Sequence, residues 1–239
     1  MSFSLPSFSA LPFLVTLAAA PCAAEPVLLE LFTSQGCAVS PKGDRLAAEK
    51  AVKGDVLLLT FPVDYWDYLG WKDTLGSSAH TARQRAYALA RSERKVYTPQ
   101  IVVNGTQSII GSDKAGLEQA IQHASARPEH PAAIRVQDAD GQIDVEVGDH
   151  APAGEAEVWL FAVSRSKSVT VERGQNAHHT LTYTNVVRKM TRLGSWTGKS
   201  AHFAIAREEV VPADADHFVV VVQEGSGSMP GAILGFAAH

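Results

Sequence analysis

The sequence predicts an α/β unit followed by a mainly β unit, and three observations predict it. Short continuous apolar runs alternate with helically spaced stretches as far as residue 126, in the order β-α-β-α-β-β-α. The segment Arg127-Pro128-Glu129-His130-Pro131 then reads as a linker. Beyond it the apolar period becomes two: Ile134 and Val136, then Ile143, Val145 and Val147, alternate with polar residues.

The first strand is the apolar run 27–32, of the kind found in buried strands. Thr33-Ser34-Gln35-Gly36 is turn chemistry. From Pro41 the spacing is helical, with Leu46, Ala47 and Ala51 apolar among Lys42, Asp44, Arg45, Glu49 and Lys50. Pro41 suits a first helical turn, and Lys53-Gly54-Asp55 ends the helix. Residues 56–61 form a second buried strand, and 77–93 a helix carrying Ala79, Ala82, Ala86, Leu89 and Ala90. Residues 96–103 form a strand opened by Pro99 and closed by an Asn104-Gly105 turn, with 106–111 as its hairpin partner. Residues 114–124 close the unit as a helix, with Leu117, Ala120 and Ile121 inward. In the second unit 157–165, 181–187, 201–206 and 218–222 are strand-like and predict a small antiparallel sandwich or barrel. Residues 186–193 are open to a helical reading, and Gly225-Ser226-Gly227-Ser228 reads as a hairpin loop.

With 239 residues, 46% apolar and 19% charged, the composition is that of an ordinary globular protein. It excludes a disordered tail, a collagen-like chain and a disulfide-knitted miniprotein. A net charge of −4 and a pI near 6.1 argue against a nucleic-acid binder with a basic stripe. Residues 1–24 hold no charged side chain, and their apolar run 11–20 is shorter than the roughly 20 residues a bilayer requires. Small residues follow it, so the segment reads as a secretory signal cut after Ala24, although its start carries no Lys or Arg. An uncleaved anchor and a lipoprotein lipidated at Cys22 are the alternatives, Pro21 counting against the second. The expected organisation is a signal at 1–24, an α/β domain at 25–127 and a mainly β domain at 132–239. The expected location is the periplasm or the exterior, with no stable membrane span. Of the two cysteines only Cys37 then remains, so no internal disulfide can form.

Strand, turn, Cys37 and helix, in that order, place the thiol at a helix N-terminus. Unpaired N–H groups and the helix dipole there favour a thiolate. The plain alternative is an inert, buried cysteine packing as a small hydrophobe. Thr98-Pro99 is where a cis bond would expose the edge of the next strand beside the thiol, ready for an extended peptide.

This arrangement resembles the thioredoxin fold over about residues 26–126. The segments 27–37, 64–73 (DYWDYLGWKD), 81–85 (TARQR) and 96–100 (VYTPQ) together are similar to a family of secreted bacterial proteins, domain-of-unknown-function family 1223. The resemblance implies a thioredoxin-like N-terminal domain followed by a mainly β C-terminal domain. Members usually carry Cys-x-x-Cys-Pro, whereas this chain has Cys37-Ala38-Val39-Ser40-Pro41. A serine cannot resolve a mixed disulfide, so dithiol cycling is chemically closed to this chain alone. One-cysteine chemistry remains: attack, a mixed adduct and release by an outside thiol, with glutathionylation and sulfenic-acid formation in the same class. Ser40 would hydrogen-bond the thiolate. The resemblance also implies a buried acid on the first strand as proton carrier. Glu30 takes that place if one residue is inserted before Cys37; otherwise it is an edge or partly solvated position.

The loop from Asp64 to Trp71 is dense in aromatics and acids. It lines a groove beside the cysteine, with Trp66 and Asp64 as substrate contacts alongside Thr98 and Pro99, or it is pinned by its own aromatics. Asp64 and Asp67 are paired carboxylates or simply solvated and capping groups. Arg83 and Arg85 are expected to meet this loop as ion pairs. His178-His179 is a poor chelate, His80 and His123 lack ligand spacing with Cys37, and no cofactor is implied. A metal carrier using Cys37 with a methionine or histidine is a third reading, against which Met190 and Met229 both fall in the second domain. Two functional readings stand. One is an exported monothiol oxidoreductase acting on a protein or small thiol. The other is a redox-inactive thioredoxin-fold binding module recruiting a protein or ligand.

Overall fold

In the computed structural model the run Val27–Thr33 forms strand β1, buried along its whole length. The structure describes residues 26–54, 56–126, 130–150 and 154–239; the expected secretory signal and residues 127–129 of the expected linker lie outside the described residues. Helix α1 (Ser40–Val52) follows with Pro41 in its first turn, and β2 (Val56–Pro62) returns parallel to β1. A single 3₁₀ turn at Asp67–Leu69 leads to α2 (Ser78–Ala90), whose first turn is capped by the Ser77 hydroxyl accepting from the Ala79 amide. Strand β3 (Gln100–Val103) pairs antiparallel with β1 and turns into β4 (Gln107–Ile110). Asn104 and Gly105 take φ of 45° and 76° in that turn, a conformation these residue types tolerate. Helix α3 (Lys114–Ser125), capped by Asp113, completes the expected β-α-β-α-β-β-α order.

The rest is nearly all strand: β5 (Ile134–Ala139), β6 (Gln142–Val147), β7 (Ala156–Thr170), β8 (Thr180–Trp196), β9 (Ala201–Ala206), β10 (His217–Ser226) and β11 (Met229–Ala238), with one short helical turn, α4 (Arg207–Val210). Residues 186–193, open to a helical reading, are strand because β8 pairs with β7 along almost its entire length.

Pairing crosses the expected linker. One eight-stranded mixed sheet runs β11-β10-β7-β8-β2-β1-β3-β4, and a three-stranded sheet runs β5-β6-β9. The join is parallel, β2 to β8, at Thr60 and Val186, reinforced by the Thr60 hydroxyl donating to the Thr184 carbonyl at 2.6 Å. The change of period near residue 131 therefore separates two sequence patterns whose strands share one sheet.

Strand alternation assigns the two faces of the large sheet. Leu28, Phe32, Leu59, Phe61, Phe161, Val163, Val219 and Val221 pack with Tyr87 of α2 on one face. On the other, Leu29, Leu31, Leu58, Ile101 and Val103 pack against Leu46 and Ala47 of α1 and Leu117 and Ala120 of α3. On that same side Val158, Leu160, Ala162, Phe218, Val220 and Val222 meet Ile143, Val145 and Val147 of the small sheet. Each fully buried Leu, Val or Phe contributes about 1.5–3 kcal/mol of transfer free energy, so these three clusters supply the driving force for the architecture. No helix among the described residues is long and apolar enough to cross a membrane.

Candidate functional site

Where β1 ends, the chain makes two tight turns. The Cys37 amide donates to the Ser34 carbonyl at 3.2 Å, and the Ser40 amide donates to the Cys37 carbonyl at 3.2 Å. The second turn runs directly into α1, so Cys37 stands just before the helix. A β-carbon at Gly36 would fall 2.9 Å from Cβ of Trp66, so the turn is held close to the aromatic loop by the absence of a side chain there. Gln35 anchors the turn to the same loop: its amide donates to Asp73 Oδ2 at 2.7 Å, and its Oε1 accepts from the Trp71 indole at 2.8 Å.

Cys37 is 3% exposed, and its Sγ lies 3.5 Å from the carbonyl oxygen of Thr98. The Thr98–Pro99 bond is cis. The Trp66 indole donates to the Thr98 hydroxyl at 2.8 Å. Ser40 is fully buried, and its hydroxyl has no hydrogen-bond partner. The fold thus gathers Cys37, Ser40, Thr98, Pro99 and Trp66.

Three other expected residues are engaged elsewhere. Asp64 accepts from the Thr81 hydroxyl at 2.5 Å, and Asp67 accepts from the Asp73 amide at 3.0 Å, so each acid serves its own loop. Glu30 is fully buried, not edge or partly solvated, and shares a face of β1 with Leu28 and Phe32, toward α2 and away from α1. Both its oxygens are taken by Arg83, at 2.6 and 2.7 Å, and Tyr87 donates to Oε1 at 2.6 Å. Arg83 also donates to Gln223 of β10 at 2.9 Å and lies against the rings of Phe61, Tyr87 and Phe161. Burial works against the charge on Arg83, but the Glu30 carboxylate more than offsets it and holds the guanidinium protonated. Arg83 therefore pairs with the first strand and not with the aromatic loop.

The loop between β7 and β8 covers the cysteine turn. Asn176 donates from one amide nitrogen to the carbonyls of Gln35 and Cys37, at 2.9 and 3.0 Å. Gln175 accepts from the Ala38 amide at 3.2 Å, satisfying a donor at the mouth of α1. Ala38 and Val39 remain exposed.

Several ionisable groups around the turn were not singled out by sequence. Asp44 of α1 accepts from the Thr33 hydroxyl at 2.5 Å, and burial raises its pKa to about 7. Asp73 is likewise raised by burial, and Tyr65 is pushed up to about 12 by the same cause. Tyr183 of β8, 2% exposed, is held protonated by burial and feels the charges of Asp44, Asp73 and Cys37. Asp44 was open to discovery by spacing, at seven residues beyond Cys37; Asn176 and Tyr183 carried no local signal. Among the described residues no group of three or more His, Cys, Asp or Glu side chains is placed to hold a metal ion.

The model of a family described as a protein of unknown function (DUF1223) matches residues 28–223. A crystal structure of a structural-genomics target from Agrobacterium tumefaciens is 30% identical, with a TM-score of 0.78 over 90% of this chain and 95% of that one. HBP35 of Porphyromonas gingivalis, at 12% identity, shares the fold with a TM-score of 0.55, over 90% of this chain and 75% of that one. Among curated proteins none matches the chain.

Proposed function

We propose that this chain, which belongs to the DUF1223 family of proteins of unknown function, is an exported thioredoxin-like protein carrying a one-cysteine thiol exchange site. The observation that carries the reading is the position of the Cys37 sulfur, directly before α1 and 3.5 Å from the Thr98 carbonyl that precedes Pro99. In this reading Thr98 and Pro99 form the platform for a substrate segment, with Trp66 and the Asp64 loop at its border. The uncharged N-terminal apolar run supports export to the periplasm or beyond.

The chemistry is a thiol–disulfide exchange in two steps. The Cys37 thiolate attacks one sulfur of an external disulfide; a Cys37 mixed disulfide forms, and the second sulfur leaves as a thiolate that takes up a proton. An external thiol then attacks the mixed disulfide and releases Cys37, because Ser40 has no sulfur with which to do so. Glu30 stays with the Arg83 ion pair in this reading and carries no proton for the thiol.

A second reading, a redox-inactive binding module, is favoured by the 3% exposure of Cys37 and by the loop that covers it. Incubation of the reduced, native protein with glutathione disulfide, followed by intact-mass measurement, separates the two. One glutathione adduct on Cys37, reversed by dithiothreitol, is the expected result. An adduct that forms only after unfolding by urea leaves the binding module standing and overturns the exchange reading.

A further inference from the structure

Helix α2 carries an apolar stripe on the side turned away from β1. Ala79, Ala82, Ala86 and Leu89 follow one another at steps of three, four and three residues, so they share one helical face. Leu89 is 64% exposed, where a surface helix ordinarily shows polar side chains. Across from this stripe stand Trp159 of β7 and Met190 of β8, and between the two walls lies a trough of about 700 Å³. That size is in the range of small-molecule sites. The far wall is preformed: the Trp159 ring stacks on Phe161, and its indole donates to Glu157 at 3.1 Å. A β-carbon at Gly227 would fall 3.1 Å from that ring, so the β10–β11 turn lies close to the indole.

Two guanidinium groups border these apolar walls. Arg83 is 6% exposed and gives Nε and Nη2 to Glu30, Tyr87 and Gln223. Its Nη1 makes no hydrogen bond and is not fully buried, so it opens toward the trough that Arg83 lines. Glu30 already balances the charge of Arg83, which therefore offers the trough a donor without net charge. Arg85 supplies the charge: it is exposed, lines the trough and forms no ion pair among the described residues. A second hollow, of about 510 Å³, shares Arg85 and Leu89 with the trough and adds Arg94 and Lys95. The acids nearby are already engaged, Glu93 by Arg91 and Glu157 by Arg192. Hydrocarbon walls, one open donor and an excess of unpaired cations at one end call for a ligand with an apolar body and an anionic head.

We propose that this trough binds one single-chain amphiphile with an anionic head. The chain lies between the α2 stripe and Trp159, and the head accepts from Arg83 Nη1 and pairs with Arg85, with Arg94 and Lys95 adding positive potential beyond it. Arginine suits a carboxylate head because its planar fork matches the two oxygens. The apolar walls are recessed, which fits a single molecule, whereas a bilayer is met by apolar side chains that protrude. No residue of the cysteine turn lines the trough, so the proposal stands apart from thiol exchange.

The test is calorimetric titration of the purified protein with decanoate, decanol and decyltrimethylammonium, each below its micelle concentration. Decanoate is expected to bind once per chain and to shift the tryptophan emission, decanol to bind about tenfold more weakly, and the ammonium to show no binding. From octanoate to dodecanoate the affinity is expected to rise about threefold per methylene. Arg85→Ala should bring decanoate down to the level of decanol and leave decanol unchanged. Ala82→Trp, which fills the trough from an exposed position, should abolish binding of both. Equal binding of decanoate and the ammonium overturns the proposal, as does native decanoate affinity in either variant. Capture of the protein by phosphatidylglycerol vesicles that decanoate does not relieve would assign the face to a membrane instead. A dimer in sedimentation that decanoate does not dissociate and Ala82→Trp does would assign it to a second copy. If Ala82→Trp does not fold, Arg85→Ala and the chain-length series decide.

Discussion

Gly43 of α1 lies flat against the ring of Pro99: a β-carbon at position 43 would stand 2.7 Å from both Cβ and Cγ of that ring. Helix and prolyl residue are thereby held closer than any side chain would allow. Gly43→Ala ought to stabilise an isolated helix by up to about 1 kcal/mol. Here the overlap dominates, and overpacking of this kind costs about 1–3 kcal/mol. Urea unfolding is expected to show a net loss; a gain would mean that the helix slides away from Pro99 without penalty.

The buried pair Glu30–Arg83 ties β1 to α2 and, through Gln223, to β10. Removing one partner leaves a charge buried with no counter-ion, at a cost of about 3–5 kcal/mol. Arg83→Met is therefore expected to destabilise by that order, and Glu30→Leu/Arg83→Met to recover much of the loss. Equal stability for single and double variants, measured by chemical denaturation, would contradict the pairing.

Two buried groups pull the pH dependence of stability in opposite directions. His80, whose Nδ1–H donates to the Pro62 carbonyl at 2.8 Å, has its pKa lowered by burial from 6.5 to about 4. The unfolded chain binds that proton first, so the His80 contribution is complete above pH 6.5 and is lost as pH falls toward 4. Asp44, raised from 3.8 to about 7, does the reverse: the folded chain keeps a proton that the unfolded chain releases, so stability declines as pH rises from 3.8 to 7. Over the shared window the two trends nearly cancel. Asp44→Asn should uncover the His80 trend, a rise of roughly 3 kcal/mol between pH 4 and 6.5. A flat profile in that variant would refute the assignment.

Asn176 makes two hydrogen bonds across the cysteine turn. Asn176→Ala should cost about 1–3 kcal/mol by removing this donor from the buried Gln35 carbonyl and leaving the Cys37 carbonyl with the Ser40 amide alone. It should also raise the rate at which iodoacetamide alkylates Cys37 in the native protein several-fold. Unchanged alkylation would show that this loop does not govern access to the sulfur.

Ser40→Cys places a second sulfur at the first residue of α1, across one tight turn from Cys37. Under oxidising conditions an internal disulfide is expected, seen as a loss of two free thiols on titration. Persistence of both thiols would mean that the two side chains point apart.

Much of this architecture is written in local pattern. Apolar runs and helical spacing place the first seven elements, and alternation at Ile143, Val145 and Val147 marks the small sheet, because each pattern spans only a few residues. The joining of the halves is another matter. Thr60 meets Val186, and Asn176 meets Cys37, across more than a hundred residues, where no period or turn signal reaches. The same distance hides Gln223, the third member of the Glu30–Arg83 cluster. Glu30 lies in a run legible as buried strand, but the resemblance set it beside the thiol, whereas the pleat turns it toward Arg83 of α2. Asp44 was legible by spacing alone, and its orphaned oxygen only from the coordinates.

The narrow join between β2 and β8 has a mechanical consequence. A single bridged pair and one hydroxyl bond span it, while the ladders on either side are long. Away from the ladder, the halves are also tied by Arg83 donating to Gln223 and by the Ile233 amide donating to the Asn104 carbonyl. The two halves share one hydrophobic core, with Leu28, Phe32 and Phe61 packed among Phe161, Val219 and Val221, so this seam opens only together with that core.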